Sequence, residues 1–179
     1  LVIGPAGETV TLDEGNDIVS TGDGDDDIST GQGNDIVEAG AGDDKVYGGP
    51  GDDQIYGQEG NDRVWAGWGD DLVEGNNVND TLGGELGDDK LDGGPGDDQL
   101  HLAEGDTATG GEGDDAFIVS FEKWTQAVDN PVTAEDLITI TDFEPGVDSL
   151  EVYGDNFNNP TEARFAGLSE QDGDLLIST

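Results

Sequence analysis

The sequence predicts an all-β fold, a right-handed parallel β-roll closed by a C-terminal β capping subdomain. Residues 12–101 divide without a gap into ten rows of nine residues. The sixth column of these rows is always Asp, and the eighth is always Val, Ile or Leu. The fourth column is Gly except at Val78. A nine-residue period this strict is typical of a stacked repeat, in which each repeat contacts only its neighbours.

Each row is expected to combine a turn with a strand. Columns one to six are Gly-rich and polar, and their glycines allow the positive φ values that tight turns need. Columns seven to nine form a short strand whose middle residue points inward. Two rows then make one layer of 18 residues, and successive layers stack as parallel strands. The apolar column forms two facing sheets, with Val19, Val37, Ile55, Val73 and Leu91 in one and Ile28, Val46, Val64, Leu82 and Leu100 in the other.

The N-terminal residues 1–11 are predicted to be a worn repeat that caps the array. Val10 occupies the apolar column, but Glu8 stands where Asp is expected and Ala6 where Gly is expected. End repeats of stacked folds commonly depart from the consensus in this way. The predicted roll itself covers residues 12–118.

The regular frame weakens after His101. The next row is one residue short and has Thr107 in the Asp column when the frame is continued, whereas Asp115 and Phe117 restore both columns in the row after it. Residues 119–179 contain short β-prone segments separated by turn signals, and we interpret them as a C-terminal β cap with antiparallel-type strands. Its large apolar residues could cover the open end of the roll; they are Phe121, Trp124, Phe143, Phe157 and Phe165.

Composition points to bound cations. The chain has 44 acidic and 5 basic residues, and its formal net charge is −39. Self-repulsion of this size opposes a compact fold unless counter-ions bind, and it argues against nucleic acid, anionic membranes and anionic glycans as direct partners. The absence of Cys excludes disulfides and thiolate metal sites. A core that is one side chain deep cannot offset the chain entropy alone, so other interactions must stabilise the roll.

The Asp column accounts for this requirement. In a stacked roll its carboxylates lie one above another at the strand spacing of roughly 4.8 Å, where they repel one another unless a cation separates them. Calcium takes six to eight hard oxygen ligands at about 2.3 to 2.6 Å, whereas Mg²⁺ demands a tighter octahedron. The turns are therefore predicted to be calcium sites. Column five, which is Asp or Asn throughout, is expected to point outward into solvent.

Rows such as GGPGDDQIY and GGPGDDQLH resemble those of RTX, or hemolysin-type, calcium-binding proteins. The segment GGEGDDAFIVS and the later DLITITDFEPGVDSLEV resemble the region that follows the roll in serralysin-like secreted proteases. This resemblance implies that each Ca²⁺ lies between successive turns on one edge, held by two column-six Asp residues and by turn carbonyls. The implied carboxylate ligands are Asp17, Asp26, Asp35, Asp44, Asp53, Asp62, Asp71, Asp80, Asp89, Asp98 and Asp115.

The resemblance also implies carbonyl ligands from the glycines of columns two and four. Pairing each column-six Asp with the next one on its edge gives nine candidate sites, of which those near Val78 and Thr107 are the weakest. The implied carbonyl ligands are Gly15, Gly22, Gly24, Gly31, Gly33, Gly40, Gly42, Gly49, Gly51, Gly60, Gly67, Gly69, Gly87, Gly94, Gly96 and Gly113.

The resemblance implies a secreted, extracellular protein whose parent leaves the cell through a type I secretion channel. Repulsion between the stacked carboxylates and the thin core predict a chain that folds only when calcium binds. The chain has no Met, so we expect it to be a fragment or a processed product, and it has no apolar run long enough to span a membrane. One His, no Cys and no G-x-S-x-G argue against a zinc protease, a Cys nucleophile or an esterase. We therefore interpret the chain as a noncatalytic calcium-binding module.

Outward aromatic residues leave an alternative open. Tyr47 and Trp65 lie in column nine of neighbouring strands, Trp68 lies in an adjacent turn, and Lys45 and Arg63 are beside them. Such a group could bind a sugar ring or a partner protein, or it could be cross-strand packing. The alternative function is a calcium-dependent carbohydrate-binding module attached to a polysaccharide-active enzyme.

Overall fold

The computed structural model describes residues 4, 6–121, 137–145, 147–154, 167–171 and 174–178. These residues form β-strands and no helix, so none of them belongs to a helix that could cross a membrane. The strands are β1 (Thr9–Thr11), β2 (Ile18–Asp23), β3 (Asp27–Ser29), β4 (Ile36–Ala41), β5 (Lys45–Pro50), β6 (Gln54–Glu59), β7 (Arg63–Trp68), β8 (Leu72–Asn77), β9 (Thr81–Leu86), β10 (Lys90–Pro95), β11 (Gln99–Leu102), β12 (Thr107–Glu112), β13 (Ala116–Phe121), β14 (Ile138–Ile140), β15 (Ser149–Gly154), β16 (Gly167–Gln171) and β17 (Asp174–Ser178).

The strands alternate between two sheets. Sheet A has the order β16-β17-β14-β12-β10-β8-β6-β4-β2, and sheet B has the order β1-β3-β5-β7-β9-β11-β13-β15. Within each sheet, adjacent strands among β1 to β15 are parallel. Through the array each residue pairs with the one 18 positions later, as Val19 does with Val37 and Ile28 with Val46. The predicted all-β parallel roll is confirmed.

The apolar column forms the core, as predicted. Its ten members in the regular rows are between 0 and 2% exposed, and Phe117 continues the sheet B series with 0%. Val10 extends it in the other direction at 4%. The apolar side chains of the two sheets face each other between the layers of backbone, so the core is long and thin.

The strands are longer than predicted, because most of them continue from column seven through column three. β4, for example, includes Gly40 and Ala41, so only columns four to six form the turn. Column one is a second inward column of small residues, in which Thr21, Thr30 and Ala39 are fully buried. Columns one and two are rich in Gly, which resembles a turn, although in the fold these small residues serve close packing between layers.

Left-handed backbone recurs at columns two and four. Glycine normally occupies these positions, as at Gly49 with φ of 114° and Gly51 with φ of 144°. Val78 adopts φ of 77° at column four, a strained conformation for a β-branched residue. Its N–H still donates to the Pro95 carbonyl at 2.8 Å, so the departure from Gly leaves the layer intact.

The short row resumes its register earlier than the sequence frame suggested. Thr107 pairs with Lys90 and Ala108 with Leu91, which places Asp106 in the Asp column. The assignment of Thr107 to that column was therefore wrong. The missing residue is lost from the turn before Asp106, because the turn can shorten while the strand must keep its inward and outward faces in register.

The C-terminal segment continues the roll before it caps it. β13, β14 and β15 are parallel to the preceding strands β11, β12 and β13, so the antiparallel prediction was wrong for these pairs. It holds for β17 against β14 and β16. Leu150 pairs with Phe117, and the Phe143 ring lies 6.1 Å from that of Phe117. Phe143 therefore covers the core end. The remaining predicted capping aromatics have side chains outside the described part; they are Phe121, Trp124, Phe157 and Phe165.

Candidate metal centre

The fold arranges the acidic column into two stacks, one along each edge of the roll. Each member directly precedes a strand, since it closes the turn that leads into that strand. The A column precedes strands of sheet A and consists of Asp17, Asp35, Asp53, Asp71, Asp89 and Asp106. The B column precedes strands of sheet B and consists of Glu8, Asp26, Asp44, Asp62, Asp80, Asp98, Asp115 and Asp148.

One carboxylate oxygen of each Asp is used by the fold. The backbone N–H of a column member donates to Oδ1 of the member in the following layer, as from Asp35 to Asp53 at 2.8 Å and from Asp53 to Asp71 at 2.7 Å. Between Asp17 and Asp115 these bonds measure 2.7–3.1 Å. From Asp26 to Asp98 the bonds fix the carboxylates in one orientation, with Oδ2 left for another partner.

Within the part of the chain that the structure describes, that second oxygen is buried without a hydrogen-bond partner in nine Asp residues. A buried carboxylate oxygen is costly unless a donor or a cation compensates for its lost water. Nine such atoms in two regular columns indicate a repeated ligand position. They are Oδ2 of Asp26, Asp35, Asp44, Asp53, Asp62, Asp71, Asp80, Asp89 and Asp98.

Backbone carbonyls lie close to these oxygens. A methyl group placed at Gly48 would collide with Oδ2 of Asp53 and with the carbonyl oxygen of Ala66, so both oxygens border the same small space beside Gly48. Gly93 has the equivalent surroundings, formed by Asp98 and the Gly110 carbonyl. Column-one carbonyls were not among the predicted ligands. They were missed because their position depends on how one layer stacks on the next.

The predicted glycine carbonyls divide into two groups. Those of column four accept no hydrogen bond from the described residues, so they are available to a cation. Most of those in column two lie within the strands, as Gly22 does opposite Gly40. No three acidic or histidine side chains of the described residues converge on one point. A site in these turns would therefore combine carboxylates with carbonyls, which is the oxygen chemistry that Ca²⁺ prefers.

Burial changes the acidity of the columns. Loss of water raises the pKa of Asp53 and Asp62 to about 6, that of Asp44 and Asp71 to about 7, and that of Asp80 to about 8. The donated backbone N–H opposes this rise, and the neighbouring carboxylates add to it. These five carboxylates therefore hold a proton more readily than exposed ones, unless a cation takes its place.

Comparison with protein families agrees with this geometry. The model described as RTX calcium-binding nonapeptide repeat (4 copies) matches residues 4–37, 11–46, 29–64, 38–73, 47–82 and 74–107, together more than half of the 179 residues. The chain belongs to the RTX calcium-binding repeat family. No curated protein matches it. As an RTX β-roll, the chain is a calcium-binding module. The Asp residues of its nonapeptide repeats form the two acidic columns.

The predicted RTX Asp residues all lie in the two columns, and the fold adds Asp106. Asp106 is fully buried, and its Oδ1 accepts the Asp89 N–H at 3.1 Å. Its Oδ2 accepts the Ala103 N–H at 2.7 Å, because the shortened turn brings that amide within reach. Counting the short row backwards from the next row would have found Asp106, since it precedes Ala108 by the usual two positions.

Two more Asp residues close the C-terminal end of the stacks. Asp142 accepts the N–H groups of Gly110 and Gly111, each at 2.9 Å. Asp148 accepts the N–H of Asp115 at 3.2 Å through Oδ1 and that of Glu144 at 2.7 Å through Oδ2. Asp148 carries a weak sequence signal, because Leu150 follows it in the apolar register. Asp142 carries none.

Column five points outward as predicted, and it also forms hydrogen-bonded ladders. The Asp52 N–H donates to Oδ1 of Asn34 at 3.1 Å, and the Asn34 N–H donates to Oδ1 of Asn16 at 3.0 Å. These bonds run towards the preceding layer, opposite to those of column six. Asp or Asn is suited to every position here, because each supplies the acceptor that the next amide needs.

The aromatic residues lie on the outer face of sheet B. The rings of Tyr47 and Trp65 are stacked, with centroids 5.5 Å apart and planes inclined by 12°. Trp65 also lies against Gly83, which is buried although it belongs to an outward column. Tyr47 and Trp68 are 46% and 63% exposed. Trp65 thus packs within the sheet, whereas Tyr47 and Trp68 present their rings to solvent.

Proposed function

We propose that this RTX roll is a noncatalytic module of a secreted protein that folds outside the cell when calcium binds. The observation that carries the proposal is the set of nine buried Asp oxygens without a hydrogen-bond partner, arranged in two columns at every layer interface. Ions between the layers would supply the missing partner and cancel the repulsion along each column.

Each proposed site lies between two consecutive members of one column. The earlier member contributes Oδ2, the later member contributes its carboxylate, and carbonyls of columns one and four complete the oxygen set. Asp106 adds a tenth pair to the nine predicted from the sequence. The pairs are 17/35, 35/53, 53/71, 71/89 and 89/106 in the A column, and 26/44, 44/62, 62/80, 80/98 and 98/115 in the B column.

The calcium sites exist only when the layers stack, so binding free energy becomes folding free energy. Extracellular calcium modules commonly bind at about 10⁻⁴ to 10⁻³ M, far above the free calcium of the cytosol. The chain would therefore remain unfolded inside a cell and fold after export. We keep residues 1–11 as an N-terminal cap and 12–118 as the roll, and we treat 119–179 as a C-terminal cap whose strands β14 and β15 extend the roll before it ends.

Two measurements test the proposal. Circular dichroism during a calcium titration should show a cooperative transition to β structure in the sub-millimolar to millimolar range. Anomalous scattering from crystals grown with calcium should place ions along both columns. A chain that is already fully β in excess chelator would refute the folding switch, and three or fewer ions would refute the column model.

The exposed rings of Tyr47 and Trp68 favour one second candidate, the calcium-dependent binding of a neutral polysaccharide. Trp68→Ala is the better test, because Trp65 packs against Tyr47 and Gly83 and its loss would disturb the sheet. Calcium-dependent retention on the polysaccharide that Trp68→Ala abolishes would support this candidate. Equal behaviour of the wild type and Trp68→Ala on an immobilised polysaccharide series would reject it.

A further inference from the structure

Glu8 occupies the acidic column although the sequence places it in a worn repeat. Its N–H donates to Oδ1 of Asp26 at 2.7 Å, the same bond that links successive Asp residues elsewhere. The strand after it keeps the register, since Val10 pairs with Ile28 and is 4% exposed. The first layer is therefore a complete member of the stack on this edge.

Two carboxylate oxygens at this interface have no hydrogen-bond partner. Asp26 is 2% exposed and its Oδ2 is unpartnered, and Oε2 of Glu8 is also buried and unpartnered. Lost water raises the pKa of Glu8, and so does the close approach of the Asp26 carboxylate, with which a protonated Glu8 would share a hydrogen bond. Two acidic groups in contact repel each other unless a proton or a cation lies between them.

The backbone also closes around this point. Gly24 lies against Ala6, and Gly7 lies against the carbonyl of Asp25, so the first turn packs directly on the turn that contains Asp26. The extra methylene of Glu8 lets its carboxylate reach further towards Asp26 than an Asp would. This reach compensates for the poorer turn sequence of the first layer, which has Ala in column four.

We propose that Glu8 and Asp26 hold a further divalent cation, of the Ca²⁺ class, at the N-terminal end of the B column. The inference rests on the calcium-binding function proposed above and extends it to a residue outside the Asp consensus. As the earlier member of this pair Glu8 would supply Oε2, and Asp26 as the later member would supply its carboxylate. Turn carbonyls beside Gly7 and Gly24 would complete the coordination.

Anomalous scattering from crystals of the full chain grown with calcium tests the site directly. A peak within ligand distance of Glu8 and Asp26 is expected, in addition to those between Asp pairs. Ions between the Asp pairs without one at Glu8 would overturn this inference and leave the proposed function standing. A map without ions in either column would overturn both.

Glu8→Gln and Glu14→Gln provide a matched solution test. Glu14 lies in column three and is exposed, so its neutralisation removes the same charge without touching the columns. The dependence of unfolding free energy on the logarithm of calcium concentration reports the number of ions bound on folding. We expect that slope to fall by about one ion in Glu8→Gln and to stay unchanged in Glu14→Gln. Equal slopes in the two variants would contradict the site.

Discussion

The regular array and the layers that follow Leu102 satisfy their carboxylates in different ways. In the array, nine buried Asp residues each accept one backbone N–H on Oδ1 and leave Oδ2 without a partner. After Leu102, Asp106, Asp142 and Asp148 each accept an N–H on both oxygens. The array is thus completed by something other than protein, whereas the end of the roll is completed by its own backbone.

The difference separates two kinds of stability. A carboxylate with two N–H donors is satisfied whenever the chain is folded, so its contribution does not depend on calcium. A carboxylate with a single N–H donor leaves a buried charged oxygen, and the array remains unfavourable until a cation arrives. Asp142 and Asp148, which belong to no proposed site, should therefore determine how stable the loaded roll is, and the array Asp residues should determine how much calcium it needs.

Removing calcium should have the largest effect. In excess chelator the array loses the partner of every Oδ2, and the chain should expand from about 16 Å towards an unfolded radius of gyration of about 45 Å. Small-angle scattering with and without calcium measures this change. Magnesium at the same concentration is the control and should not restore the folded radius, because it demands a tighter octahedron.

Within the array, Asp53→Asn should be more damaging than Asp17→Asn. Asp53 belongs to two of the proposed sites and Asp17 to one, while Asn keeps the Oδ1 acceptor for the preceding amide. We expect Asp53→Asn to raise the calcium midpoint at least about tenfold, which corresponds to about 1.4 kcal/mol. Asp52→Asn in the same turn is the control and should leave the midpoint unchanged. Equal midpoints for the Asp53 and Asp17 variants would contradict shared sites.

In the capping layer, Asp142→Asn should lower stability without changing the ion count. Its amide group would present N–H donors to one of the two glycine amides, and losing that hydrogen bond costs about 1 to 3 kcal/mol. Urea unfolding at several saturating calcium concentrations gives both the free energy of unfolding and its dependence on calcium, which reports the number of bound ions. The free energy of unfolding of Asp142→Asn should lie below that of the control Glu144→Gln by the same amount at every calcium concentration, so the two calcium dependences should be parallel. If the unfolding free energy of Asp142→Asn depends less steeply on the logarithm of calcium concentration than that of the control, Asp142 is a calcium ligand instead.

The smallest expected effect is that of pH on the calcium midpoint. In the ion-free fold the pKa values of Asp53, Asp71 and Asp80 are raised to about 6, 7 and 8. Such a fold binds more protons than the unfolded chain, so its stability grows as pH falls from 8 and is lost as pH rises through these values. An unfolded chain has ordinary carboxylates, which are already ionised above pH 6.

If calcium binds as the chain folds, the midpoint should therefore be the same at pH 6.5 and pH 8. Calcium titrations at the two pH values, with calorimetry in buffers of different ionisation enthalpy, measure both the midpoint and proton release. A midpoint that rises at pH 6.5, together with released protons, would show that the ion-free roll is already folded. That outcome would remove the distinction between array and cap.

The regular array could be predicted from the sequence because each column has one physical role. An invariant Asp and an invariant aliphatic residue two positions later determine the edge, the core face and the layer repeat. The strand length was underestimated, since the glycines of columns one and two resemble a turn when they are read without the neighbouring layer. Their small size serves the packing of one backbone layer on another, which only the stacked fold reveals.

The cap was harder to predict for a related reason. Asp106 was missed because a single deleted residue in the turn shifted the frame. Asp142 acts through the amides of residues that precede it by more than thirty positions and belong to a different part of the chain. No local pattern records such a contact. The parallel β14 and β15 follow from register with the roll, which outweighs the antiparallel tendency of short isolated strands.

The two hydrogen-bonded ladders of the turns run in opposite directions, so each array layer offers the same donors and acceptors to either neighbour. The number of layers can therefore change without altering the hydrogen bonds between neighbouring layers. Excision of residues 48–65 would join Tyr47 to Ala66, preserve both columns and deliver the cap to its usual edge. Excision of nine residues would instead move every strand before the junction to the opposite sheet relative to the cap. Insertions and deletions in this array should thus be tolerated in multiples of 18 residues, the repeat by which its strands pair.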